Sequence, residues 1–179
     1  GMGRETLAKV AVKNHANGAK NEKAHLRAEI TVEQAMKSPI IASPFGLFDC
    51  CPTTDGAAAA IVCSAELAKK WKRDPIWVKG AALAVETGRP YYDPTFDYLG
   101  FPSTVKASQA AYAMAGITPK DVSFAEVHDC FTWTEISNIE DLGFCKKGDG
   151  WKLVEEGRTA IGGDVPINTS GGLKSFGHP

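Results

Sequence analysis

Along the first forty residues the apolar positions are spaced for helix and then give way to a polar stretch. The stretch "ETLAKVAVKNHANGAKNEKAHLRAEITVEQAMKSP" opens with helical spacing and then turns polar, rich in Asn, Lys and Ala. Within it Thr31 stands three positions before Gln34, a capping box that predicts a short helix ended by Pro39. The pattern is that of small helices and loops, polar enough to lie over another part of a molecule. Beyond Phe45 the pattern changes. Pro52 to Gly56 is turn chemistry, and "AAAAIVC" from Ala57 is a short bounded apolar run, either a buried strand or a helix segment. Its small side chains suit a place where another backbone comes close. Ser64, with Glu66 in the first turn, predicts a helix through "SAELAKKW".

After "RDP", the run "IWVKGAALAVETG" reads as a strand crossing a core. The next unit is the best defined. Ser103 is placed to cap a helix with apolar positions at Val105, Ala107, Ala110, Ala111 and Met114, ended by Gly116 with Pro119 beyond. "VSFAEV" then alternates as a strand that delivers His128 and Asp129 at its end, and "FTWTEISNIEDLGF" resumes a helical pattern to Gly143. Strand, helix, strand, loop, helix predicts a layered α/β fold, in which reactive side chains gather at strand ends.

Composition narrows the function classes. The chain has 179 residues, 44% apolar and 23% charged, the mix of a globular domain. Twenty Lys and Arg against twenty-one Asp and Glu leave a net charge of -1, which gives no electrostatic reason to expect nucleic acid or an anionic membrane as partner. No apolar run has the length of a membrane span, and the start lacks the basic and apolar regions of a secretory signal. Five cysteines, an odd number with an adjacent pair at Cys50 and Cys51, predict free thiols and a cytoplasmic protein. With no CxxC pair and no histidines at i, i+4 spacing, no metal site is expected.

Two histidines occupy junctions suited to chemistry. "EVHDCF" puts His128 where a strand meets a helix, and "GHP" holds His178 between a glycine and a proline. Each also has a plain structural reading: Asp129 would orient His128, and His178 would be a turn residue. The thiols are poor nucleophile candidates. Asp49 and Asp55 flank the Cys50–Cys51 pair, Cys130 reads as a packing residue, and Cys145, beside Lys146 and Lys147, follows a helix end and reads as exposed.

"HDCF", then "GGLKSFGHP", with "CCPTTDGAAAAI" upstream, closely resembles the thiolases, most of all the branch of sterol-carrier-protein-x thiolase and related acetyl-CoA acetyltransferases. The likeness includes "VKNHANGAKN", which resembles a lysine–asparagine–histidine segment of that branch. It implies a layered α/β/α/β/α fold of two similar halves, with a loop domain covering coenzyme A. On that template the chain is a partial copy. Residues 1–48 would end the loop domain, 49–74 would supply the last strand and helix of the N-terminal half, and 75–179 would be the C-terminal half up to its histidine loop.

The resemblance implies that His178 activates a nucleophilic thiol and that His128 joins it in donating hydrogen bonds to a thioester oxygen. It places Gly171, Gly172 and Phe131 against substrate and, more weakly, Lys13 and His15 against coenzyme A. Both family cysteines, nucleophile and acid/base, would lie outside these 179 residues. It further implies coenzyme A as a substrate with no covalently bound cofactor, and a homo-oligomer. Steroid side-chain aldolases of the superfamily carry tyrosines at the two histidine positions, so the retained His128 and His178 favour an acyltransferase. A non-catalytic thiolase-like subunit is the reading from another class.

Overall fold

The computed structural model describes residues 2–71 and 74–179. Lys72 and Arg73, between the helix begun at Ser64 and the run from Ile76, lie outside the described residues. Helix α1 (Arg4–Ala19) runs straight through the stretch whose polarity suggested loops. Leu7, Val10 and Ala11 form an apolar stripe, and Asn14 and Asn17 extend that stripe at helical spacing; all five are buried. Helix α2 (Val32–Lys37) has the expected cap: the Thr31 hydroxyl accepts from the Gln34 N–H at 3.1 Å, and the Gln34 side chain accepts from the Thr31 N–H at 2.8 Å. Strands β1 (Ile40–Ala42) and β2 (Phe45–Gly46) form a short antiparallel ladder.

Helix α3 (Ala65–Trp71) begins at Ser64, whose hydroxyl accepts from the Leu67 N–H. A single turn, α4 (Arg89–Tyr92), leads to α5 (Pro102–Ala115). The start of α5 differs from expectation. Phe101 is its N-cap and Pro102 its first helical residue, a place where the missing N–H costs nothing, so Ser103 lies inside the helix. Its end follows the sequence, with Gly116 at φ 68°. Helices α6 (Thr132–Asp141), α7 (Gly150–Glu155) and the one-turn α8 (Gly172–Ser175) complete the chain.

Helix α6 is the centre of the molecule. Ile136 packs with Leu7, Val10 and Val154, while Ile139, one turn on, packs with Leu153, Val165 and Ile167. Helix α1 crosses α6 and also meets α7 and α8. Polar residues of α6 are buried as well, each with a partner. The Thr132 hydroxyl donates to Asp49 at 2.8 Å, the Asn138 amide donates to the His128 carbonyl at 2.8 Å, and Asp141 accepts from the Phe101 N–H at 2.7 Å. These bonds tie the residue-49 and residue-128 segments to one rigid helix. A buried polar group left without its partner costs about 1–3 kcal/mol, so the bonds select one arrangement of the loops.

The apolar runs expected as strands are extended but unpaired among the described residues. Ile61 is 98% exposed, Ile76 90% and Leu83 90%. The second run lies along α5, where a β-carbon at Gly80 would press on the Ala111 carbonyl at 2.5 Å, so glycine permits the approach. The "VSFAEV" segment makes one parallel bridge, Ala125 to Ile167. Among the described residues no helix is long and apolar enough to cross a membrane.

Candidate active site

Three short segments meet at the site. Residues 50–54 run extended between two others: Cys50 bridges Phe131 antiparallel, and Thr53 bridges His178 in parallel. The Cys51 N–H donates to the Cys130 carbonyl at 3.0 Å, and the Thr54 N–H donates to the His178 carbonyl at 3.2 Å. Carrying the antiparallel register along the chain puts Thr53 opposite His128. Side chains alternate on extended backbone, so His128, Thr53 and His178 share one face and Asp129 turns to the other.

The two imidazoles meet accordingly. Their ring centroids are 5.1 Å apart with planes at 86°, His128 exposed and His178 half-buried. Partial burial, and then the neighbouring His178, push His128 below the ordinary imidazole value, so at neutral pH it is an uncharged ring with one N–H to donate. On the His178 side lies a cleft of about 540 Å³ lined by Lys23, His25, Thr54, Asp55, Phe176 and Gly177; the residues on either side of His178 line it, and the two imidazoles do not. Its wall forms where the His25 and Leu26 N–H groups donate to the Phe176 and Ser175 carbonyls, each at 2.9 Å.

Behind the rings is a buried polar network. Asp129 is fully buried, and its carboxylate accepts from the Leu173 N–H at 2.7 Å, the Lys174 N–H at 3.4 Å and the Asn14 amide at 2.8 Å. The same Asn14 amide donates to Glu135 at 2.8 Å; Glu135 also accepts from Asn168 at 2.8 Å and pairs with Lys13 at 2.9 Å. Burial first, and the Glu135 charge second, raise Asp129 to about 7 despite those three donors. Lys174, 2% exposed, donates its ammonium to the Cys50 carbonyl at 2.5 Å and is pushed below the usual lysine value by burial.

The remaining expected site residues fall in three places. Gly171 and Gly172 have φ of 112° and 61°; a β-carbon on Gly171 would press on Gly18, and one on Gly172 would overlap the Asp129 carboxylate. Phe131 caps α6, 40% exposed, its ring 5.3 Å from Phe45. Lys13 and His15 lie inside. Lys13 donates to the Ile167 carbonyl at 2.6 Å besides its Glu135 pair. His15, 3% exposed, contacts the Ala28 carbonyl through Nδ1 at 3.0 Å and meets the Phe48 ring edge-on.

Burial raises the Cys50 and Cys51 thiols. Cys145, expected at the surface, instead packs beside Ile139 and Leu153, and its thiol is raised to about 11. Sequence reasoning passed over Asn14, Glu135, Asn168 and Lys174. The signal for Asn14 was its place on the helical stripe of Leu7, Val10 and Ala11.

The thiolase C-terminal domain-like family matches residues 93–179, the half of the chain that carries both imidazoles. Along its whole length the chain is similar to an acetyl-CoA acetyltransferase of Methanothermobacter thermautotrophicus, at 45% identity over 179 residues. The chain belongs to the thiolase superfamily. A benzoylsuccinyl-CoA thiolase subunit of Thauera aromatica is 39% identical over 98% of the chain. Among solved structures, the Ltp2-ChsH2(DUF35) aldolase superposes with a TM-score of 0.92 over 99% of the chain at 32% identity. The fold is thus thiolase-like, in partial copy: the chain spans 46% and 45% of the two curated relatives and 47% of the aldolase chain.

Proposed function

We propose that the chain supplies the imidazole half of a thiolase-type acyltransferase site, acting on the carbonyl groups of an acyl-CoA. The observation that carries this reading is the 5.1 Å approach of His128 and His178 from separate loops. In thiolysis a thiolate adds to the 3-keto carbon of a 3-ketoacyl-CoA. The bond between C2 and C3 breaks, and its electron pair leaves as the enolate of acetyl-CoA. His178 takes the proton of the attacking thiol and, as a cation, holds the thiolate. The N–H groups of His128 and His178 donate to the thioester oxygen as enolate charge develops. One such donor is worth about 3 kcal/mol of barrier, or roughly a hundredfold or more in rate. The acyl group then passes to a second CoA thiol. The nucleophilic and acid/base cysteines belong, in this reading, to the remainder of a longer polypeptide, which assembles as a homo-oligomer.

A chimera tests the proposal: this chain replaces the matching segment of the Methanothermobacter enzyme, which it resembles throughout its length. The chimera is expected to cleave acetoacetyl-CoA only when CoA is present, and His128→Ala to lower kcat about a hundredfold or more. The 179-residue chain alone is expected to show no turnover. A folded chimera without activity, or one indifferent to His128→Ala, contradicts the reading. The aldolase neighbour favours a second reading, carbon–carbon cleavage without a thiol acceptor. Product formation independent of added CoA would select it.

A further inference from the structure

We propose that Asp129 is a positioning residue that sets His178 against His128, acting through the backbone of the turn that begins at Gly171. This rests on the reading of His178 as the reacting base. The residue after His128 faces away from the rings, yet its carboxylate reaches the other loop. It accepts from the Leu173 and Lys174 N–H groups, at 2.7 and 3.4 Å, four to five residues before His178. One residue pair thus joins both loops: His128 presents an imidazole, and Asp129 fixes the height of the loop that presents the other.

Two further features show that the position is built. Gly172, at φ 61°, is the residue on which any β-carbon would occupy the carboxylate's space, so the loop sequence leaves room for Asp129. The carboxylate is itself held from behind. Asn14 on α1 donates one amide group to both Asp129 and Glu135, at 2.8 Å each, and Asn168 and Lys13 complete the shell around Glu135. Helix α1 therefore fastens the two loops together through Asn14, on the face of the segment turned away from the rings.

The test is made on the 179-residue chain without substrate, by NMR of labelled histidines. In the native protein a nuclear Overhauser contact joins the two rings. Because His178 contributes to the lowered His128 titration, loosening its loop should return His128 toward the ordinary imidazole value. Asp129→Ala is expected to abolish the ring contact and raise the His128 midpoint, changes that loss of stability alone does not produce in a folded protein. Asp129→Asn keeps an acceptor oxygen for Leu173 and is expected to retain the contact. Where Asp129→Ala does not fold, Gly172→Ala displaces the carboxylate from the other side and is expected to give the same two changes. An unchanged contact and midpoint in whichever of these variants folds, or a loss as complete in Asp129→Asn as in Asp129→Ala, overturns the proposal. Failure of the native chain to bind acyl-CoA would leave the ring contact in place and count only against the acyltransferase reading.

Discussion

At the scale of single residues, the most consequential side chain is one without reactive chemistry. Asn14 offers its amide to two buried carboxylates, and no apolar residue can replace it. Asn14→Leu leaves Asp129 and Glu135 each short of a donor, so a loss of about 2–6 kcal/mol is expected in urea unfolding, at about 1–3 kcal/mol for each group. A loss below 1 kcal/mol would show that water or Lys13 replaces the amide. His15 carries a pH prediction. Burial holds it below the ordinary imidazole value, and its Nε2 has no partner. The unfolded chain therefore binds its proton more readily, and the stability that His15 contributes is lost as pH falls through the unfolded value of 6.5. Urea midpoints at pH 7.5 and 5.5 should differ less in His15→Phe than in the native chain. His128 and His178 were legible as candidates because their Gly, Pro and Asp neighbours are themselves unusual. Asn14 was not, because polarity at a helical position reads as solvent exposure unless its buried partners, 115 and 121 residues away, are known.

Elements with local signals matched the sequence; elements defined by distant pairing did not. The Thr31–Gln34 box and the Gly116 terminus are decided within a turn of chain, so spacing alone placed them. Helix α6 read as helical from its spacing, with nothing to show that it is buried almost all round; its Thr, Glu, Asn and Asp side chains are satisfied by other segments. It follows that α6 should be the least tolerant element. Ile139→Ala, a fully buried truncation between Leu153 and Ile167, is expected to cost about 2–5 kcal/mol. Met114→Ala on half-exposed α5 should change the unfolding free energy by less than about 1 kcal/mol. Equal losses would contradict the central role of α6.

For the whole molecule, the unpaired runs are the defining feature. "AAAAIVC" and "IWVKGAALAVETG" have strand patterning, yet among the described residues they leave Leu83 facing solvent, and Ile61, Ile76 and Val78 exposed around a groove of about 810 Å³. A strand is identified by its neighbours as much as by its own residues, and the chain spans under half of the thiolases it matches. Exposed apolar edges of this kind associate. Light scattering is expected to give a mass above 19.1 kDa that rises with concentration, and Ile61→Lys with Ile76→Lys to lower it. A concentration-independent monomer would contradict this.

The claim on which the functional reading stands is that two loops bring two imidazoles to one acyl thioester. Titrating histidine-labelled chain with acetyl-CoA, and following both rings by NMR, examines that meeting directly. One pocket requires the His128 and His178 signals to shift together, saturably and with a common midpoint. Shifts at one ring only, or at neither, would place the thioester elsewhere and remove the basis for an acyltransferase site.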